Sequence, residues 1–172
     1  MQSNQKEKDA AFNISIGKAI KDNSVYGINI SYQPSTIKNF FNGAAFINQK
    51  VNQYSFGAFY RQYKSLSKDF YFFIQPEADY IIGKNTVNDT LGVNLETVKV
   101  SGPQLTLMPG ISYKIFNKFH MEILIPNIVT IQYASKKDNT PTTNTKQKTF
   151  VFKSSLNSSS FDFLGVGFRF IF

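Results

Sequence analysis

Between Phe70 and Gly83 the chain reads FYFFIQPEADYIIG. Phe70, Phe72, Ile74, Pro76, Ala78, Tyr80 and Ile82 form one set of alternate positions, and all of them are apolar. The other set, Tyr71, Phe73, Gln75, Glu77, Asp79, Ile81 and Gly83, holds every charge in the stretch. A period of two is that of a β-strand, whose successive side chains point to opposite faces. The stretch is a strand with one wholly apolar face and one face that collects the polar groups.

The same alternation recurs to either side. QLTLMPGISYKI sets Leu105, Leu107, Pro109, Ile111, Tyr113 and Ile115 against Gln104, Thr106, Met108, Gly110, Ser112 and Lys114. VYGINISY sets Tyr26, Ile28, Ile30 and Tyr32 against small or polar partners, and FNISIGKAI does so with Phe12, Ile14 and Ile16. Seven strands are expected, at about 11–21, 24–34, 52–65, 69–84, 103–116, 118–135 and 149–172, with Pro76, Pro109 and Pro126 marking bulges or local breaks. KDNS (21–24), LSK (66–68) and NK (117–118) read as tight turns, and 35–51, 85–102 and 136–148 as long polar loops. Short turns at one end and long loops at the other is the up-and-down pattern of an antiparallel β-barrel.

The chain closes on FDFLGVGFRFIF, Phe161 to Phe172. Ends of soluble domains are usually polar and frayed, so an apolar strand there calls for a cover outside the chain. The 172 residues include 18 Phe and 9 Tyr, no Trp and no Cys, at a mean hydropathy of −0.22. Without cysteine there is neither a disulfide framework nor a Cys-based metal site. No apolar run reaches the 18 or so residues of a membrane-spanning helix, and MQSNQKEKDA at the start has no signal-peptide core. Residues 1–10 are expected as a polar loop or tail on a single barrel domain spanning 11–172.

Alternation alone fits a soluble lipocalin-like binding barrel as well as a membrane barrel. Three features favour the membrane: unequal loop lengths, long strands, and tyrosines at the ends of apolar faces (Tyr26, Tyr32, Tyr54, Tyr80, Tyr113, Tyr133), as in interfacial girdles.

The last eight residues, GVGFRFIF, resemble the C-terminal insertion signal of bacterial outer-membrane barrels, through Gly167, Phe170 and Phe172. ISIGKAIKDNSVYGINISY, FGAFYRQYKSL and LMPGISYKIFNKF likewise resemble the small bacterial outer-membrane β-barrel domain family, the OmpA/OmpX-type eight-stranded barrels. The resemblance implies a Gram-negative cell envelope, location in the bacterial outer membrane, lipid and lipopolysaccharide as surroundings, and the barrel assembly machinery as partner during insertion. It implies a monomer with no cofactor. Single-chain barrels have an even strand number, so an eighth strand and a signal peptide are expected upstream of residue 1.

The polar parity carries Arg61, Gln75, Glu77, Asp79, Lys114, His120, Glu122 and Arg169. Arg61 lies on the strand next to Glu77 and Asp79, and Glu122 and Arg169 should face each other on the last two strands. Paired carboxylates can do acid/base work, but charges in a narrow lumen also simply pair. The expected lumen network is Arg61, Gln75, Glu77, Asp79, Glu122 and Arg169. The single histidine, His120, is expected at the rim, so no catalytic, metal or cofactor site is assigned and no enzyme is expected. Inward glycines should allow strand curvature or make room for a large neighbour. Lys6, Lys8, Lys38, Lys50, Lys136, Lys137, Lys146 and Lys148 place much of the +8 charge in loops, without the aromatic platform nucleic acid needs. The reading is an integral outer-membrane barrel of structural or interaction role with a plugged lumen. A small-solute porin or transporter is the alternative.

Overall fold

The computed structural model describes residues 3–21, 23–41, 44–88, 94–125, 128–139, 144–154 and 164–171, and among them every regular element is a β-strand. These are β1 (Ser3–Asp9), β2 (Phe12–Lys21), β3 (Ser24–Phe41), β4 (Ala44–Ser65), β5 (Phe70–Asn88), β6 (Asn94–Phe116), β7 (Phe119–Leu124), β8 (Val129–Asn139), β9 (Asn144–Ser154) and β10 (Gly165–Phe170). All pairs are antiparallel. β1 and β2 run along β3, β7 and β8 along β6, and β9 and β10 along β8 and β7. Ten elements thus form seven lines of one sheet, in sequence order, at the places the alternation marks.

The predicted long loops are where sequence and structure part. Residues 35–41 and 44–51 continue β3 and β4, 85–88 and 94–102 continue β5 and β6, and 136–139 and 144–148 continue β8 and β9. Ser3–Asp9, expected as loop or tail, pairs with β3 from Ser3↔Phe41 to Asp9↔Ser35. These segments lack the strict alternation because apolar and polar residues mix on the same face, as Val98 and Glu96 do on β6. Backbone pairing across a hairpin does not require an apolar face.

Pro76 and Pro109 do not slip the register. Phe59↔Glu77 and Gln62↔Ile74 keep one alignment across Pro76, and Ile74↔Pro109 continues the ladder of β5 and β6. Pro76 leaves a local break in the β4–β5 ladder at Tyr60 and Arg61, beyond which pairing resumes unshifted, while Pro109 keeps its place opposite Ile74. Pro126 and Asn127 lie outside the described residues. On their flanks, however, Gly110↔Leu124 gives way to Leu107↔Val129, so two extra residues are accommodated between β7 and β8. An even shift preserves parity, so β7 and β8 keep the same residues on each face.

The sheet is curled. Arg61 on β4 touches Glu122 on β7 at 2.7 Å although β5 and β6 lie between. In a flat sheet three strand spacings would separate the backbones by about 14 Å with side chains parallel. Contact requires a concave face, and the sheet is a half-barrel. Among the described residues nothing pairs with the outer edges of β2 and of β9–β10.

Candidate functional site

The concave face buries Arg61, Gln75, Glu77, Asp79, Thr106, Ser112, His120 and Glu122, together with Phe59, Tyr63 and Phe73. Glycine rows make this packing possible. Gly110 stands opposite Phe73, and a Cβ on it would lie 2.3 Å from the ring's Cζ. Gly17, Gly27 and Phe59 share another row, and a Cβ at Gly27 would meet Phe59 Cε1 at 2.7 Å. The expectation that inward glycines clear space for large neighbours holds at these positions, and at Gly57, which lies beneath Asp79. Around Gly83, Gly165 and Gly167 the space is open to ordinary contact.

Toward the short-turn end, Glu122 sits between two guanidiniums. Arg61 Nη1 donates to its Oε2 at 2.7 Å, and Arg169 Nε lies 3.0 Å from its Oε1. The second is a charge contact, since Arg169 Nε has no hydrogen bond of acceptable angle. Arg61 also donates from Nε to Gln75 Oε1 and from Nη1 to the Tyr63 hydroxyl at 2.9 Å. Gln75 passes the connection on through Nε2 to Glu77 Oε1. Aromatic faces enclose both cations: Arg61 Cζ is 4.4 Å from the Phe73 ring centroid and Arg169 Cζ 4.6 Å from that of Tyr63, geometry suited to cation–π attraction.

Five of the six predicted network residues, Arg61, Gln75, Glu77, Glu122 and Arg169, are therefore linked, with two differences of detail. Arg61 takes its ion partner from Glu122 across the concavity and not from Glu77 or Asp79 on the adjacent strand. Arg169 is in register with His120, and Glu122 with Gly167, so the Glu122–Arg169 contact is diagonal. Asp79, the sixth, stands apart, where the Asn29 side chain bonds to it. There Asn29 Oδ1, Asp79 Oδ1 and Thr106 Oγ1 are buried with no hydrogen-bond partner among the described residues.

His120 is not at an exposed rim. It is 5% exposed, its Nδ1 lying 3.1 Å from Arg169 Nη2 and 3.2 Å from Ser112 Oγ. A guanidinium only donates, so Nδ1 is the acceptor. Ser112, His120 and Glu122 thus stand together, yet both oxygens of Glu122 face arginine or tyrosine and an arginine occupies the imidazole's Nδ1. A base supported by a carboxylate needs the reverse arrangement. What this cluster does chemically is neutralise and fix charge inside the curl.

Tyr63, Ser112 and Asn29 were not singled out from the sequence. Each shares the inward parity of a residue that was, which is the signal available for them. In the closing stretch GVGFRFIF, Phe170 points outward and packs on Phe119 at 4.7 Å while Gly167 faces inward. Phe172 lies outside the described residues.

The convex face is the complement. Phe12, Ile14, Ile16, Ile28, Ile30, Phe56, Tyr80, Leu105, Ile111, Phe152 and Phe168 are all exposed on it. Cross-strand aromatic pairs mark both ends, Tyr32–Tyr54 at 4.8 Å and Phe70–Tyr113 at 4.7 Å. No protein-family model, curated protein or solved structure matches the chain.

Proposed function

We propose that this chain is a wall of a bacterial outer-membrane β-barrel of the small, eight-stranded kind, with a structural or interaction-bearing role and a lumen closed by its own side chains. The observation that carries the reading is the inverted burial: charged and polar residues are enclosed while aliphatic and aromatic residues face outward. In water an apolar face of this extent marks a surface that something covers, and hydrocarbon is the cover that suits alternation along every strand. The dimensions agree. From the Phe70–Tyr113 row to the Tyr80–Pro103 row is ten residues of β5, roughly 33 Å of strand, and a tilt of about 40° makes that an apolar band about 25 Å tall.

The unpaired edges of β2 and β9–β10 fit the same proposal, because a spanning sheet must close on itself to satisfy its backbone. One further strand lying between these edges would close it, giving the even count of single-chain barrels. The Arg61–Glu122–Arg169 cluster would then obstruct the lumen, which favours a plugged wall over a conducting pore. Planar-bilayer recording tests this: the expected result is no stable channel at any polarity. Steady conductance that survives Arg61→Met would replace the plugged reading with the transport one. Recovery of the protein in the periplasmic fraction without detergent would support the soluble binding barrel.

A further inference from the structure

The hairpin extensions above the apolar band carry a feature that the strand register creates and the sequence order hides. Lys84 on β5 pairs with Lys99 on β6, Lys99 with Lys137 on β8, and Lys137 with Lys146 on β9. Four lysines from four strands fall on a single rung. The alignment is unbroken from the apolar rows, because Phe70↔Tyr113 and Lys84↔Lys99 belong to one β5–β6 register and Tyr133↔Phe150 and Lys137↔Lys146 to one β8–β9 register. All four therefore share the outward parity of Tyr80, Leu105, Tyr133 and Phe150. The acids of the same segments, Glu96 and Asp138, fall on the inward parity, opposite Val87 and Val98. Among the described residues none of the four lysines has an ion-pair partner.

Like charges directly opposite one another on a sheet are destabilising, so three successive Lys–Lys pairs favour a counter-charge from outside the chain. The rung spans about 14 Å at strand spacing, and it lies four residues beyond Tyr80, about 13 Å along the strand. That is where headgroups begin above an aromatic girdle. Lysine stems can lie along the apolar surface while the ammonium groups reach outward. We infer that the Lys84–Lys99–Lys137–Lys146 rung is a binding surface for the phosphate groups of anionic lipid headgroups in the leaflet around the long-hairpin end. The inference rests on the membrane reading above.

The test compares the parent protein, the double variant Lys99→Gln/Lys137→Gln, and a charge-matched control, Lys18→Gln/Lys64→Gln, whose lysines lie near the short-turn end. Each is folded into vesicles of phosphatidylcholine alone or of phosphatidylcholine and phosphatidylglycerol in equal parts. The unfolding midpoint is followed by heat-dependent gel mobility, and retained lipid by native mass spectrometry. The parent should unfold at higher temperature in the mixed vesicles and retain phosphatidylglycerol, with retention about fivefold weaker for each rung lysine removed. The rung variant should lose the lipid-dependent rise and, in pure phosphatidylcholine, unfold no earlier than the parent. The control should keep the rise. Equal midpoints for the parent in both vesicles, or equal loss in rung variant and control, overturns the rung. So does reproduction of the whole rise by inorganic pyrophosphate in phosphatidylcholine vesicles without phosphatidylglycerol retention, which would make free phosphate the ligand. Failure to insert into either vesicle overturns the membrane reading and the rung together, an outcome distinct from insertion without lipid preference.

Discussion

β5 and β2 carry the same alternation and end up in different surroundings. Along β5, inward positions from Phe73 to Ile81 are buried and outward ones exposed, whereas along β2 every position from Phe12 to Lys21 is exposed on both faces. The difference lies in what stands opposite. β5 has β4 and β6 at its sides and the side chains of β7 and β10 reaching over the concavity, while β2 has β3 on one side and, among the described residues, nothing on the other. Periodicity specifies which face turns inward, and only a wall across the curl turns that face into a buried one. The central wall should accordingly respond strongly to substitution and the edge weakly.

The largest effect is expected at the centre of the ion cluster. Glu122→Gln keeps the shape of the side chain and removes the charge between Arg61 and Arg169, leaving two enclosed cations without a counter-ion. Breaking an enclosed pair in this way costs about 3 to 5 kcal/mol, whereas removing the partner as well can be nearly neutral. Glu122→Gln should lower the urea midpoint in vesicles markedly, and adding Arg169→Met should recover part of the loss. A double-mutant cycle with no coupling would mean that the 3.0 Å contact is incidental.

A somewhat smaller effect separates the two faces of the wall. Ile74 is exposed near the middle of the apolar band, between Gln62 and Pro109. If lipid covers it, Ile74→Arg costs about 2 to 4 kcal/mol. Ser15, of inward parity on the edge strand β2, should accept Arg with little change. Equal folding yields of the two variants in vesicles, measured by protease protection, would break the assignment of lipid to the convex face.

The wall was more legible in the sequence than the cluster inside it. Strict parity in FYFFIQPEADYIIG and its repeats located all seven lines of the sheet, because period two is a local property of the chain. The Arg61–Glu122 contact is not local: it joins residues on β4 and β7 and depends on how tightly the sheet curls, which no spacing encodes. Proximity in the strand order pointed instead to Glu77 and Asp79. His120 looked like a rim residue from its position just after a turn, and its burial comes from Ser112 on the neighbouring strand and Arg169 on the other side. The Lys rung was hidden for the opposite reason. Its residues lie in segments without strict alternation, which gave no strand signal, and only the register of β5, β6, β8 and β9 aligns them.

The smallest expected effects compare two inward glycines. At Gly110 a new Cβ would fall 2.3 Å from Phe73 Cζ and 2.6 Å from the Ile123 carbonyl oxygen. Phe73 is fully buried beneath Arg61, so it has nowhere to retreat, and overpacking of this kind costs about 1 to 3 kcal/mol. At Gly167, on the outermost line of the sheet, the nearest atom to a new Cβ is Leu124 Cδ1 at 3.5 Å, an ordinary contact. Alanine there also narrows the unfolded ensemble, which stabilises by about 0.4 to 1 kcal/mol where the backbone permits it. Gly110→Ala should therefore lower the unfolding midpoint while Gly167→Ala leaves it unchanged or raises it slightly. If Gly167→Ala proves as damaging as Gly110→Ala, another segment packs against the β10 line from the open side. The small difference between two methyl groups is thus a probe of whether the free edge is occupied in the folded protein.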